Sequence, residues 1–203
     1  MKLAIQQMLA AYNDKKDGFE ELLKKLSQSV LNQIESLSQI ATEFSAFAKM
    51  PSIKMEVFEI VAVINDAINL FADEKIDIVF KYDSSSVFID ADQSQFRRMI
   101  INMIRNSIQA EAKQIQLISA VQNQNVSLNI IDDGQGISPE NQFKIFEANF
   151  TTKDKGMGLG LKLTKRFLEH IKGDIKLIES SGTRTEFLIT IPLHFPKNSN
   201  PLS

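Results

Sequence analysis

A long apolar stripe in the first quarter of the chain is the feature that most restricts its possible folds. Over residues 20–49, apolar side chains recur in steps of three and four, which predicts a long helix. Pro51 ends this pattern, because a proline pushes the residue before it out of the helical region. The stripe is wider than a two-stranded seam and favours a four-helix bundle. Its members are Leu23, Leu26, Val30, Gln33, Leu37, Ile40, Phe44 and Phe47, of which only Gln33 is polar, and it is widened by Leu22, Ile34, Ala41 and Ala48.

A second, shorter helical pattern precedes the stripe at residues 1–12, and a polar turn ending in Gly18 separates the two. Two helices cannot cover so wide a stripe, so we expect a hairpin that forms a homodimer through residues 1–49. A long helix packed against its own domain is the alternative on the pattern alone. We therefore expect a partial helical dimerisation hairpin at 1–51.

The rest of the chain, residues 52–196, mixes helical and strand patterns. Polar and apolar residues alternate in its later strand segments, which indicates a mostly antiparallel, half-exposed sheet. Helical patterns at 59–73, 92–111 and 158–171 would cover one face of that sheet. The predicted fold class is therefore α+β, with the helical hairpin followed by a two-layer α/β sandwich and a short tail at 197–203.

Composition excludes several kinds of partner and site. Lys and Arg total 23 against 25 for Asp and Glu, so there is no broad positive field for nucleic acid. The chain has no cysteine, and its two histidines, His170 and His194, are far apart, which disfavours thiolate and zinc sites. No apolar run approaches the ~18 residues that span a bilayer. The N-terminus also lacks a signal-peptide pattern, so we expect a cytoplasmic segment without membrane contact.

Three alternate glycines, Gly156, Gly158 and Gly160, precede a helical pattern. Their spacing and the polar loop before them match neither a dinucleotide fingerprint nor a P-loop. A glycine loop that opens a helix presents free N–H groups to an anion, and the neighbouring Lys153 and Lys155 add positive charge. Taken alone, the segment is equally typical of an ordinary loop and helix start.

A carboxylate motif lies upstream of these glycines. Asp132 ends a predicted strand, and Gly134 and Gly136 allow the backbone to turn tightly after it. A carboxylate at a strand end can accept a hydrogen bond from an exocyclic amine such as adenine N6. An ordinary Asp-Gly turn is the more common reason for such a pattern.

Two asparagines lie on one face of the predicted helix at 92–111. Asn102 and Asn106 are four residues apart, and asparagine is a mediocre helix former. A single asparagine oxygen is an adequate protein share of a Mg²⁺ site that water and nucleotide phosphates complete. A solvated polar face is the alternative.

In their order along the chain, first the asparagine helix, then the carboxylate motif, then the alternate glycines, the motifs resemble those of the GHKL ATP-binding superfamily, specifically nitrogen-regulation-type sensor histidine kinases. INMIRNSIQA resembles the N box, DDGQGI the first glycine box, IFEANFTTK the F box and GMGLGL the second glycine box. Residues 43–51, EFSAFAKMP, are similar to the end of the second dimerisation helix. The resemblance implies an ATP- and Mg²⁺-binding protein-histidine kinase of a two-component system, with residues 52–196 as its catalytic domain.

The resemblance also implies a role for each matching position. Asn106 would coordinate Mg²⁺, Asp132 would bind adenine N6, and Asn102 and Lys153 would complete the catalytic set. Phe146 and Phe150 would anchor a lid over the nucleotide, although both are also typical of core aromatics under a loop. The nucleotide-binding residues would be Asn106, Asp132, Gly134, Gly136, Phe146, Phe150, Thr152, Lys153, Gly156, Gly158, Gly160, Leu161 and Thr185.

Asn102 distinguishes activities within the superfamily. Hydrolytic relatives carry a glutamate base four residues before the Mg²⁺ asparagine, whereas an amide has no useful basicity near neutral pH. We therefore expect phosphoryl transfer to an external acceptor. A hydrolytic GHKL ATPase and a non-catalytic nucleotide-binding or dimerisation module are the alternatives.

The chain departs from the family pattern at two places. Arg184 stands where the later G-x-G-T-x-F pattern has its second glycine. The His-Glu-x-x-Asn-Pro phosphoacceptor box, which in resembling proteins lies just upstream of a segment like MKLAIQQM, is absent. We therefore expect a fragment that follows this box, unable to phosphorylate itself, with any membrane anchor of the parent protein upstream. The resemblance implies a response regulator receiver domain as the partner.

Overall fold

The computed structural model describes residues 5–6, 19–31, 34, 54–83, 86–147, 150 and 158–194, and the chain divides into two compact units, Met1–Pro51 and Ser52–Ser203. In the first unit, residues 19–31 form helix α1, on which Leu23 and Leu31 are exposed. Most of the predicted hairpin lies outside the described residues. Its short first arm, the rest of its long arm and its homodimerisation therefore stay predictions.

The described part of the second unit contains two sheets and four helices. A small sheet pairs β1 (Glu56–Glu59) with β3 (Phe88–Ala91), and the larger sheet has the strand order β2-β4-β5-β7-β6. The strands of the larger sheet are β2 (Asp77–Tyr82), β4 (Gln114–Gln122), β5 (Asn125–Asp132), β6 (Asp174–Ser181) and β7 (Arg184–Pro192). The helices are α2 (Ile60–Asn69), α3 (Gln93–Gln109), α4 (Pro139–Gln142) and α5 (Gly160–His170).

The larger sheet is mostly antiparallel, as the alternating patterns predict. Only β2, among the described strands, pairs in parallel with its neighbour β4. Strand β5 lies between β4 and β7, so Asp132 is opposite Ile115 on one side and opposite Thr185 on the other. This register places the end of β5 next to the start of β7.

One face of the sheet forms the core, because side chains alternate between the two faces of a strand. On β5, Val126, Leu128 and Ile130 are buried, and the same row ends in Asp132. The matching row on β7 is apolar except for Thr185. The mainly apolar face of the sheet therefore ends in two polar residues, Asp132 and Thr185, which are neighbours on adjacent strands.

Helices α2, α3 and α5 supply the other layer of this core, which confirms the predicted two-layer α/β sandwich and the α+β class. The helix predicted at 59–73 ends at Asn69. Residues 70–74 form turns instead, in which the Phe71 N–H donates to the carbonyl of Ile68 and the Glu74 N–H donates to the carbonyl of Phe71. The short helix α4 is not predicted by any pattern. The buried residues of α3 are Phe96, Met99, Ile100, Met103, Ile104 and Ser107.

Helix α3 begins at a capping carboxylate that also holds the chain entering this unit. Asp92 accepts hydrogen bonds from the Gln95 N–H at 3.0 Å, the Ser94 hydroxyl at 2.6 Å and the Lys54 N–H at 3.0 Å. Burial raises the pKa of Asp92, but these hydrogen bonds outweigh it, so the pKa lies below its ordinary value of 3.8. Asp92 therefore stabilises both α3 and the approach to β1.

The loop after β5 is fastened on two sides. The Gln135 N–H donates to the carbonyl of Ala110 at the end of α3, and the Ile137 N–H donates to the Ser180 hydroxyl at 2.8 Å. Gly136 has φ +75°, and a Cβ there would meet the Ser181 carbonyl at the β6–β7 turn. Only glycine fits both requirements, because it adopts positive φ readily and has no Cβ.

Replacing Asp92 by alanine should lower the free energy of unfolding by about 1–2 kcal/mol, because it removes a helix cap and the anchor of Lys54. The folded pKa is depressed, so this stabilisation is complete above the ordinary pKa of 3.8 and is lost as pH falls through the folded pKa. Urea denaturation at several pH values measures both effects. Asp90→Ala, at an exposed neighbouring position, is the control. Equal losses in the two variants would contradict the capping role.

Replacing Gly136 by alanine should destabilise the protein by about 2–4 kcal/mol, because it combines backbone strain with a clash against Ser181. Gly182→Ala is the matched control, since a Cβ there meets nothing within 4 Å, and its effect should stay within about 0.5 kcal/mol. Thermal and urea unfolding measure the difference. Similar stabilities of the two variants would show that the loop tolerates a side chain at 136.

Candidate functional site

Asp132 lies at the centre of the candidate site, at the end of β5 and only 6% exposed. Its Oδ2 accepts a hydrogen bond from the Ser107 hydroxyl at 2.7 Å, and its Oδ1 accepts one from the Gly134 N–H at 3.0 Å. Because the two donors bind different oxygens, they fix the plane of the carboxylate. Each oxygen keeps a further lone pair, so the group can accept a hydrogen bond from a ligand.

Thr185 faces Asp132 from β7 and is also buried. Its hydroxyl lies 3.3 Å from that of Ser180, which joins it to the loop after β5. Arg184, the departure from the glycine pattern, does not disturb this arrangement, because consecutive residues of a strand point to opposite faces. Its guanidinium instead pairs with Glu186 at 2.7 Å and Glu179 at 3.1 Å.

Gly134 lies against both the carboxylate and the end of α3. A Cβ at this position would be 2.7 Å from the Ala110 carbonyl oxygen and 2.9 Å from Asp132 Oδ1. Both distances are shorter than a van der Waals contact, so a side chain here would displace the carboxylate. The absence of a side chain at 134 therefore helps to position Asp132.

The next residue, Asp133, points away from this cluster. Its Oδ1 accepts hydrogen bonds from the N–H groups of Lys113 at 2.7 Å and Gln114 at 2.9 Å, at the start of β4. The bond from Gln114 is the main cause of a pKa below the ordinary value. The two adjacent carboxylates thus have different environments, and only Asp132 is buried beside α3.

The two predicted asparagines of α3 have different surroundings. Asn102 donates from Nδ2 to the Thr164 hydroxyl of α5 at 3.2 Å, and a Cβ on Gly160 would meet its Oδ1. Asn102 therefore fastens α3 to the first turns of α5. Asn106 is partly buried, lies directly before Ser107, and forms no side-chain hydrogen bond with another described residue.

The structure describes two of the three alternate glycines, and both lie at close approaches. Gly158 has φ +64°, and a Cβ there would meet the backbone of Phe150. Gly160 opens α5 against Asn102, and the following Leu161 packs partly buried against the core. Thr152, Lys153 and Gly156 lie outside the described residues, so their predicted roles stay predictions.

The two predicted lid phenylalanines both contact the core. Phe146 packs edge-to-face on Phe187 of β7, with ring centroids 6.4 Å apart, and the Lys165 ammonium lies 5.2 Å from the Phe146 centroid. Phe150 is partly buried and packs against the same core. Their predicted role as anchors of a lid stays a prediction.

The fold thus places the carboxylate motif and the asparagine helix side by side. Sequence reasoning missed Ser107 and Ser180, whose hydroxyls join these segments. The signal for Ser107 is a hydroxyl at a core-facing position of α3, where the neighbouring buried residues are apolar. Ser180 has no comparable signal, because the N–H group that its hydroxyl binds, that of Ile137, lies 43 residues earlier in the chain.

The donor set suits a metal ion that arrives with a phosphate ligand. Among the described residues, no group of three or more His, Asp or Glu side chains could hold a metal ion. The uncommitted amide oxygen of Asn106 fits Mg²⁺, which takes few protein oxygens when phosphates and water supply the rest.

The described helices also include none that is long and apolar enough to cross a membrane.

Comparison with known proteins gives consistent matches. The family model for histidine kinase-, DNA gyrase B- and HSP90-like ATPases matches residues 91–194. The chain is 29% identical over 191 residues to a putative sensor histidine kinase NtrY-like of Rickettsia prowazekii (strain Madrid E), covering 89% of this chain and 31% of that protein. The chain therefore spans about a third of the length of that relative.

Two solved structures share the fold. The histidine kinase AdeS of Acinetobacter baumannii has a TM-score of 0.67 and 25% identity, with 94% of this chain and 93% of that chain covered. The histidine kinase ThkA in complex with response regulator protein TrrA has a TM-score of 0.74 and 23% identity, with 97% of this chain and 58% of that chain covered. The family model covers half of the sequence, and the chain therefore belongs to the histidine kinase-, DNA gyrase B- and HSP90-like ATPase family, as an ATP-binding catalytic region of the histidine kinase type.

Proposed function

We propose that this chain is the catalytic region of a two-component sensor histidine kinase that binds ATP with Mg²⁺ and transfers the γ-phosphoryl group to a histidine. The observation that carries the proposal is the buried Asp132 carboxylate, which accepts hydrogen bonds from Gly134 and from Ser107, the residue that follows Asn106 on α3. Asp132 would supply a hydrogen-bond acceptor for a base at the end of β5, and Asn106 would supply an oxygen ligand for a metal on α3.

The adenine end of the site would be Asp132. Its carboxylate accepts hydrogen bonds only, so it would bind the N6 amine of adenine with a lone pair that Ser107 and Gly134 leave free. Thr185, next to Asp132 on the same face of the sheet, would line the site beside it, and Gly134 and Gly136 would shape the backbone around the base. Burial of Asp132 and Thr185 strengthens such a hydrogen bond, because water competes less for it.

The metal end of the site would be Asn106. Its amide oxygen would be the protein ligand of Mg²⁺, and the ion would neutralise charge on the phosphates. Because Asn106 and Ser107 are adjacent on α3, the proposed metal ligand would lie one residue from the contact that orients Asp132. The packing of α3 on β5 would thus set the distance between the two ends.

The phosphate end of the site would be the start of α5. Helix N-termini present unpaired N–H groups and a partial positive charge to anions, and Gly160 and Leu161 are the first residues of this helix. Lys153, Thr152 and Gly156 would reach the phosphates from the loop before it, with Gly158 at its turn. Phe146 and Phe150 would anchor that loop.

Phosphoryl transfer fits this chain better than ATP hydrolysis. Asn102, which occupies the position of the hydrolytic base, is an amide bonded to Thr164 and cannot take a proton from water at neutral pH. Asn102 would instead act with Asn106 and Lys153 by positioning the nucleotide. Catalysis would then rest mainly on orientation and charge stabilisation.

The phosphoryl acceptor would be a histidine outside this chain. The chain has only two histidines, of which His170 is exposed in the last turn of α5 and His194 follows β7. We further propose homodimerisation through residues 1–49, a catalytic domain at 52–196, a cytoplasmic location and transfer onward to a response regulator receiver domain. The presence of a response regulator in the ThkA structure supports that last partner.

Replacing Asp132 by asparagine should weaken ATP binding by about 100-fold or more, because an amide replaces a buried charged acceptor. Isothermal titration calorimetry with Mg²⁺ measures the change, and circular dichroism checks that the fold is intact. Asp133→Asn is the matched control, because its amide oxygen can still accept from Lys113 and Gln114 and it lies away from the base. Unchanged ATP binding by Asp132→Asn would rule out the adenine assignment.

Incubation with γ-labelled ATP and Mg²⁺ should leave the chain unlabelled, although it binds the nucleotide. The reason is that neither His170 nor His194 lies on the predicted dimerisation hairpin. Acid-labile, alkali-stable label retained on the protein after gel electrophoresis is the measurement, with His170→Ala and His194→Ala as the assigning variants. Stable label that either substitution removes would contradict the external acceptor, and rapid steady release of phosphate would favour a hydrolase.

A further inference from the structure

Ser107 is a polar residue among the apolar side chains that α3 buries. The other buried residues of this helix are Phe96, Met99, Ile100, Met103 and Ile104, whereas Ser107 carries a hydroxyl and is only 3% exposed. Burying a hydroxyl is unfavourable unless it is hydrogen-bonded. The hydrogen-bond partner of the Ser107 hydroxyl therefore indicates the role of Ser107.

The Ser107 hydroxyl has two neighbouring acceptors and one proton. The carbonyl of Met103, one turn earlier, is the usual partner of a serine inside a helix, but it lies 3.4 Å away. The Asp132 Oδ2 lies 2.7 Å away, a distance typical of a strong hydrogen bond to a carboxylate. The proton of Ser107 is therefore committed to Asp132.

This bond decides which groups the site presents to a base. With its proton on Asp132, the Ser107 oxygen can only accept from a ligand, and the carboxylate can only accept as well. A purine with an amino group at C6 offers a matching donor. A purine with a carbonyl at C6 places an oxygen lone pair against these acceptors, so it loses the hydrogen bond and leaves a buried acceptor unpaired.

We propose that Ser107 is a positioning residue that orients the Asp132 carboxylate and thereby gives the site its preference for 6-amino over 6-oxo purine nucleotides. The inference rests on the proposed nucleotide-binding function. It goes beyond that function, because it assigns base selectivity to the hydroxyl–carboxylate pair and not to Asp132 alone.

The base selectivity of the variant Ser107→Ala separates this role from a merely structural one. The full chain is titrated with ATP and with inosine triphosphate in Mg²⁺, and the ratio of the two dissociation constants is compared with that of the unmodified protein. We expect ATP binding to weaken about tenfold, as for loss of one orienting hydrogen bond to a charged group, while binding of inosine triphosphate changes less than about twofold.

Two control variants and one substitute variant complete the experiment. Ser119→Ala removes a hydroxyl that is equally buried, on β4, at a position paired with Leu128 and not with Asp132, so it should leave the ratio unchanged. Ser107→Thr keeps the hydroxyl and should restore most of the preference for ATP. Ser107→Cys, with a weak S–H donor, takes the place of the alanine variant if circular dichroism shows that the latter is unfolded.

The outcomes distinguish this inference from the proposed function. If the unmodified chain binds neither nucleotide, the proposed function is wrong and the inference is wrong with it. If the chain prefers ATP and Ser107→Ala keeps the same ratio, or weakens both nucleotides equally, only the positioning role is wrong. A lowered ratio in Ser107→Ala, recovered in Ser107→Thr and absent in Ser119→Ala, supports it.

Discussion

The site depends on the register of the central strands, because register decides which side chains of β5 and β7 face the helices. A shift of one residue would turn Asp132 and Thr185 to the outer face of the sheet and break the contact with Ser107. The apolar residues of the same row, such as Leu128 and Ile189, oppose that shift, since it would expose them to water. The hydrophobic core thus holds the two polar residues in place.

The glycines of the loop after β5 and of the segment that opens α5 allow close packing. Each described glycine of these motifs lies where a Cβ would press on backbone or on a functional side chain. Gly134 lies against the Asp132 carboxylate, and Gly160 lies against the amide of Asn102. A glycine loop at a helix start suggests only an anion site, whereas the contacts show that these loops also bring α3, β5 and α5 within hydrogen-bonding distance.

Several features could be predicted from local sequence because their causes are local. The helical periodicity of α3 and the alternation in β5 and β7 follow from which side chains must be buried, so the two-layer sandwich and its antiparallel core were predictable. The order of motifs along the chain indicated the family. Pairing of β2 with β4 was not predictable in the same way, because parallel pairing joins segments more than 30 residues apart through backbone groups that every residue has.

The sequence by itself therefore determined the fold class, the family and the candidate carboxylate and asparagines, since residue type and spacing carry that information. Only the tertiary structure decided how these residues act on one another. In the folded chain, the Ser107 hydroxyl donates to Asp132, Asp133 accepts from the N–H of Lys113 before β4, and the Asn102 amide donates to Thr164. Such contacts depend on side-chain direction and on distances between remote segments, and these exist only after the helices have packed on the sheet.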